Sequence, residues 1–296
     1  MNLIINEFSL NKQYQSVEEF CNNLLVSFIP ITNLSKELNL PVSKKTTFFD
    51  CNVTEEMKLA DIIKIKGNPY ISKLKIIIAS LYSDEPFWDI NPKSDPQSNY
   101  FCEWTNDVPN CFTEAYERGA GIISFRHPNF ANNIIELQKN QQNCEISNFV
   151  DYMFFLKHAY EKNLLSDILY IEKVFPRTEV EFFEVGGQKR LSDFFENSNF
   201  LSTDRITITE DLITMIRKHK RNESLGRFSK PLNEHICEFR TSISSNREIR
   251  IPYFKINNKL VFLFGFIKKV QKTTQRIINN ANDCRRIYIA INQRQL

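Results

Sequence analysis

Apolar and polar positions alternate most regularly near the carboxyl end of the chain, between Ile236 and Ile267. Such a period of two predicts strands, here over residues 236–243 and 247–256, with a third beginning at Lys259. Ser244-Ser245-Asn246 is a three-residue turn between the first two strands. Asn257-Asn258 suits a type I′ turn after the second, because asparagine tolerates positive φ. Pairing Ile243 with Arg247 sets Arg240 opposite Arg250, and pairing Ile256 with Lys259 sets Gly265 opposite Arg250. The alternation of side chains then divides the sheet into two faces. Cys237, Phe239, Ile243, Ile249, Ile251, Tyr253, Leu260, Phe262, Phe264 and Phe266 form a core face. Glu238, Arg240, Glu248, Arg250, Phe254, Gly265 and Lys269 share a cationic, solvent-facing one, with Lys268 turned to the core side. Gly265 leaves a gap in front of the arginine pair where a ligand could approach.

Upstream the period lengthens to that of helices. Residues 15–28 carry Phe20, Leu24 and Leu25 at helical spacing, entered through Ser16 with Glu19 three residues on, the pattern of a capping box. Further helices are predicted over 54–65 and 70–81. Residues 83–99, broken by Pro86, Pro92 and Pro96, read as an acidic loop holding Phe87 and Trp88. Strands are expected at 122–126 and 132–137, and residues 146–174 read as mainly helical until Pro176, the expected domain boundary. Beyond it come a strand at 179–183, helices at 188–196 and 208–220, the three strands, and a last helix. The expected fold is α+β: a mixed, mainly helical domain over residues 1–175 and a compact second domain over 176–296.

At 296 residues the chain has room for two cores. Seven glycines and no G-x-G-x-x-G or G-x-x-x-x-G-K run argue against a glycine-rich nucleotide loop. No apolar run approaches a membrane span, and the amino-terminal stretch lacks the pattern of an export signal, so a cytoplasmic location is expected. The seven cysteines lack a C-x-x-C pair and read as reduced thiols. Cys102, Cys111, His127 and Cys144 match no familiar zinc spacing, so no metal and no cofactor is expected. Charge is uneven. From Thr178 onward 21 Lys and Arg face 13 Asp and Glu, a balance of +8, whereas the preceding residues carry −5. A basic second half suggests a polyanionic partner, and an acidic first half suggests that it restrains the second.

Four segments in order carry a resemblance: Lys230-Pro231-Leu232; Cys237-Glu238-Phe239-Arg240; Glu248-Ile249-Arg250-Ile251-Pro252-Tyr253-Phe254; and Phe264-Gly265-Phe266-Ile267-Lys268-Lys269-Val270-Gln271-Lys272-Thr273. Residues 179–286 resemble the HigB branch of the RelE/ParE toxin superfamily, whose members are mostly ribosome-associated mRNA endoribonucleases. The chain differs from that pattern at Phe264, where the family often has histidine, at Thr274, where it has proline, and at Pro252, which predicts a bulge or an edge in its strand. The resemblance implies a strand, two helices, a three-stranded antiparallel sheet and a terminal helix, acting on mRNA without metal in a toxin–antitoxin or phage-defence setting. Arg240 and Arg250 are then phosphate clamps, Lys269 and Lys272 acid/base or charge-stabilising groups, and Glu238 a base or the partner that orients the arginines. Lys218, Lys220, Arg221, Lys230, Lys268 and Arg276 are candidate RNA contacts. Expected partners are RNA, an antitoxin protein, or the first domain acting as an intramolecular inhibitor, with no membrane. Two alternatives stand beside this reading. One is an inert module of the same fold that binds gyrase, antitoxin or RNA. The other places the main activity in the first domain, around residues such as Arg126 and His127.

Overall fold

The computed structural model describes residues 1–67, 71, 72, 75, 87–268 and 273–292. Most of the helix expected over 70–81 lies outside these residues, as do Lys269 and Lys272. The chain forms two compact units, Met1–His158 and Ala159–Leu296, both mixing helices and strands. Among the described residues no helix is long and apolar enough to cross a membrane. All seven cysteines are free.

The first unit is built on a six-stranded sheet of order β2 (Val42–Ser43), β1 (Leu3–Ile5), β4 (Gly121–Ile123), β6 (Gln142–Phe149), β5 (Ile134–Lys139) and β3 (Tyr100–Phe101). Strand β1 (Leu3–Ile5) is wholly buried and runs parallel to β2 (Val42–Ser43) and β4 (Gly121–Ile123). Its unbroken apolar run is the pattern of a strand covered on both faces. Helix α1 (Val17–Asn23) starts as anticipated. The Ser16 hydroxyl accepts from the Glu19 N–H at 3.1 Å, while the Glu19 carboxylate accepts from the Gln15 N–H at 2.9 Å. Helix α2 (Ile29–Glu37) follows through a π turn at Leu24–Phe28.

The helix expected over 54–65 shrinks to α3 (Leu59–Ile62). The Thr54 hydroxyl accepts the N–H groups of Glu56 and Met57, a local bond that competes with helix formation. The capping box of Asn110 and Thr113 starts helix α4 (Cys111–Arg118). Strand β3 (Tyr100–Phe101) pairs with β5 (Ile134–Lys139), and β5 with β6 (Gln142–Phe149). Residues 146–149, expected to be helical, therefore belong to a strand. The turn at Asn140-Gln141, with φ of 51° and 66°, sends the chain back along β5 before helix α5 (Tyr152–Glu161) begins. The division between the two units falls inside α5.

Pro176 stands within the second unit, because helix α6 (Asp167–Val174) packs against the strand and helices that follow it. These are β7 (Val180–Phe182), the hairpin β8 (Glu184–Val185) and β9 (Gln188–Lys189), α7 (Arg190–Asn197) and α8 (Ser202–Lys220). The second sheet has the order β10-β11-β12-β13-β7, where β10 is Ser229–Pro231, β11 Cys237–Ile243, β12 Arg247–Ile256 and β13 Lys259–Phe262. Strand β14 (Phe266–Lys268) continues beside β12, and helix α9 (Gln275–Asn292) follows. Phe239, Ile249, Ile251, Tyr253, Leu260 and Phe262 are fully buried on the expected core face, and α8 packs along β11. The other face is not open throughout. Ile236, Phe254, Val261 and Leu263 pack on Ala281, Cys284 and Tyr288 of α9, so Phe254 is core rather than part of a solvated cationic surface.

The register of β11 and β12 is the one derived above, with Arg240 opposite Arg250. Asn257 and Asn258 both take positive φ at the next turn, and Ile256 pairs with Lys259. The third strand then departs from expectation. Leu263 still bonds to Pro252, but Arg250 pairs with Phe266 and Glu248 with Lys268. One extra residue has entered at Phe264-Gly265, a bulge that exchanges the faces of everything after it. The irregularity predicted for Pro252 thus falls on the facing strand. Gly265 is not opposite Arg250, and its missing side chain leaves no ligand gap: a Cβ there would lie 2.0 Å from the Phe194 ring.

Gly265→Ala is expected to destabilise the second unit by about 1–3 kcal/mol, the cost of overpacking a filled position. Adding Phe194→Ala should recover part of this loss in urea unfolding; a double variant whose loss equals the sum of the single losses contradicts the contact.

Candidate functional site

Glu238, Arg240, Glu248 and Arg250 share one face of the β11–β12 pair, but the two arginines occupy different environments. The Arg250 side chain is 3% exposed and that of Arg240 36%. Arg250 Nη2 lies 2.6 Å from Glu248 Oε2, Nη1 donates to the Ile249 carbonyl at 3.3 Å, and Nε is 3.6 Å from Glu238 Oε1. Arg240 Nε lies 3.9 Å from the same Glu238 oxygen. The other oxygen of Glu238 accepts from the Thr273 hydroxyl at 2.7 Å. Lys268 Nζ completes the group 2.7 Å from Glu248 Oε2. These three cations and two anions leave one net positive charge.

Lys268, followed by Arg250, holds the Glu248 carboxyl below its usual range against some desolvation. Burial and the neighbouring Arg240 lower the pKa of Arg250, while the two glutamates oppose the shift. Both arginine Nε atoms are buried without a hydrogen-bond partner, a state that costs free energy unless something accepts from them.

Strand β10 begins where Ser229 faces Phe239, so among the described residues no strand pairs with that edge of β11 from Arg240 onward. A cleft of about 380 Å³ opens there, lined by Thr207 and Asp211 of α8, Arg227, Arg240, Glu248 and Arg250 among others. Asp211 accepts from the Thr241 hydroxyl. Arg227 and Arg240 present guanidinium groups that can hold phosphate oxygens, with the buried Arg250 behind them.

Several expected site residues lie elsewhere or do other work. Glu238 is 5% exposed and lies within ion-pair distance of both arginines, at 3.9 and 3.6 Å. Lys268 faces Glu248 instead of the core, because of the bulge. Lys218 and Arg221 approach Glu223 at 3.7 Å, and Lys220 pairs with Glu179 at 2.5 Å. His219, within that basic run, is 3.3 Å from the Asn258 carbonyl. This places the end of α8 beside the β12–β13 turn, at the opposite end of β12 from Arg250. Lys230 is exposed beside Glu238 on β10, and Arg276 is exposed in the first turn of α9.

Arg227 and Asp211 were missed by sequence reasoning. Arg227 follows Gly226 in a short 3-10 turn with no periodic pattern, and Asp211 is one acidic residue on a long amphipathic helix. Compared with known proteins, the chain matches no family model and no curated protein.

In the first unit, Arg126 is exposed and His127 caps its own turn, Nδ1 accepting from the Asn129 N–H at 3.2 Å. Desolvation lowers the pKa of His127. A less visible group lies where the parallel strands end. Glu7, just past β1, is 7% exposed with both carboxyl oxygens unpartnered. Burial raises its pKa to about 7, and the buried Cys111 thiol beside it is raised as well, again by burial first. Among the described residues no cluster of three or more His, Cys, Asp or Glu is arranged to hold a metal ion.

Arg250→Ala strips Glu238 of its nearest cation in the interior and should cost about 3–5 kcal/mol in urea unfolding. Arg240→Ala, at a partly exposed position with its nearest carboxylate oxygen 3.9 Å away, should cost about 1 kcal/mol or less; equal losses contradict the assignment of the two roles. For Glu7, the unfolded carboxyl gives up its proton near 4.5 and the folded one near 7, so stability falls as pH rises between those values and is level above them. Glu7→Gln should abolish that slope and exceed the parent at pH 8 by about 3 kcal/mol, since a tenfold change in an equilibrium is worth roughly 1.4 kcal/mol. A parent with a level profile over the interval contradicts the burial of this carboxyl.

Proposed function

We propose that the second unit is an endoribonuclease of the RelE/HigB type that cleaves mRNA on the ribosome, in a toxin–antitoxin or phage-defence setting. The carrying observation is the partly exposed Arg240 paired across the sheet with the buried Arg250, both lining the β11-edge cleft. The order of strand, helices, antiparallel strands and terminal helix supports the reading, as do the ordered sequence segments.

In the proposed reaction the ribose 2′-hydroxyl attacks the adjacent phosphorus. A bond forms from O2′ to phosphorus and the bond to the 5′-oxygen breaks, leaving a 2′,3′-cyclic phosphate. Arg240 and Arg227 hold the phosphoryl oxygens as charge accumulates. Arg250 adds a fixed positive charge behind them, and Glu238 is a positioning residue. Glu248, ionised and lining the cleft, is the proposed acceptor of the 2′-hydroxyl proton. Lys269 and Lys272 are the proposed donors to the leaving 5′-oxygen. The first unit, opposite in net charge, is the proposed regulator.

The inert binding module stays as a second reading because Glu238 and Glu248 nearly neutralise the cationic cluster. Expression of the intact chain in bacteria, with transcript ends mapped alongside growth, separates the two. The parent should cleave RNA, and Arg240→Ala and Arg227→Ala should each lower cleavage by about 100-fold at an unchanged melting temperature. RNA binding without cleavage by the parent moves the unit to the binding class. Variants that cleave like the parent overturn the site.

A further inference from the structure

The cleft at the β11 edge makes two chemical demands, and a phosphate meets only one of them. Arg240, Thr241 and Ser242 are consecutive in its lining, so their side chains alternate between the two faces of the sheet. The cleft thus follows the open edge and reaches both sides of it. Arg240 and Arg250 come from one face. Asp211 comes from α8, which packs along β11 on the core face.

Asp211 is partly exposed, and its carboxylate has one polar partner among the described residues, the Thr241 hydroxyl. Glu248, the other carboxylate at the cleft, is taken by Arg250 and Lys268. Asp211 keeps acceptor sites to spare, since an ionised carboxylate has about four of them and donates none. Ser242 adds a second, independent unsatisfied group. Leu263 donates to the Pro252 carbonyl, so even-numbered residues of β12 bond towards β13 and odd-numbered ones towards β11. Ser242 lies opposite Glu248, between the bonded positions Thr241 and Ile243. Its backbone N–H and C=O therefore face the open edge, where among the described residues no strand meets them.

These groups define the occupant. Arg227, Arg240 and Arg250 repel a cation, and a bare phosphate leaves Asp211 unanswered. The occupant carries an anion at one end and neutral donors at the other, as a nucleotide does. Single-stranded RNA exposes its base edges to such groups. Of the RNA bases only guanine offers two adjacent donors, N1–H and the N2 amino group, with the acceptor O6 beside them. Adenine and cytosine set an amino donor next to a ring acceptor, and uracil sets N3–H between two oxygens. The volume of about 380 Å³ is that of a small-molecule site. We propose that Asp211 makes this cleft specific for guanine. Its carboxylate accepts from N1–H and N2–H, the Ser242 N–H donates to O6, and Arg227 and Arg240 hold the neighbouring phosphate. RNA as the ligand is taken from the ribonuclease reading; cleavage is not required.

Fluorescence anisotropy of the full chain with short 2′-fluoro oligouridylates tests the proposal without cleavage, because the attacking hydroxyl is absent. One central uridine is replaced by guanosine, adenosine or cytidine. The parent should bind the guanine oligonucleotide about tenfold more tightly than the adenine one, the value of one bidentate contact. Asp211→Asn keeps an oxygen for the Thr241 hydroxyl, so the melting temperature should hold. It turns one acceptor into a donor and should cut the guanine-over-adenine ratio to about twofold or less. Transcript ends mapped in parallel separate the two readings. Guanine preference without cleavage sustains the role of Asp211 and moves the unit to the binding class. Cleavage by a parent that binds all three oligonucleotides alike overturns the role of Asp211 alone. Absence of binding, or a ratio that Asp211→Asn leaves unchanged, also overturns it.

Discussion

A guanidinium withdrawn from water near the start of β12 governs the second unit. Arg250 keeps its charge in the interior because Glu248 bonds it directly and Glu238 lies 3.6 Å away. Desolvation of such ions outweighs their attraction unless the geometry is good and other polar groups complete the shell. The rest of that face supplies the shell: Lys268 on Glu248, Thr273 on Glu238, and the neighbouring Ile249 carbonyl. Arg240, directly across from Arg250, reaches only to within 3.9 Å of Glu238. The same arrangement makes Arg250 a structural cation first and a source of field second.

The arginine pairing was legible because two features of the chain agree. Ser245 and Asn246 take the positive φ that a short connection demands, and the run Phe239, Ile243, Ile249, Ile251 admits one parity only. The third strand was read equally well up to Leu263. Past it, Phe264-Gly265-Phe266 satisfies either face, because a strand of large apolar residues has no polar marker to reveal a shift of one position. The Phe194 ring that occupies the place of a glycine side chain is a tertiary contact, and local alternation carries no trace of it. Arg227 escaped notice for a related reason, its place in the cleft coming from the packing of an irregular turn.

In the first unit the legible parts were local. Ser16 and Glu19 announced a helix start, and the run from Ile122 announced a strand, which ends at Ile123. Strand β6 was misread because Ile146 and Phe149 stand three apart, a spacing that also fits a helix; the turn at Asn140-Gln141 was the stronger signal. Glu7 and Asn148 share a different kind of opacity. A buried polar residue looks in sequence like any surface one, and only the surrounding apolar cluster shows that it has left solvent.

The pairing of Val180 with Leu260 in parallel β7 and β13 bears on how the protein is made. In a chain synthesised from its amino end at about 5–20 residues per second, β7 emerges several seconds before its partner exists. The edge-to-edge bonds that close the second sheet must wait until β11, β12 and β13 have all left the ribosome. The cationic cleft, whose floor belongs to those late strands, is therefore assembled only near the end of translation. A nascent chain interrupted before Lys259 would carry the whole acidic unit and a second sheet still lacking β13, the strand that joins β7 to β12.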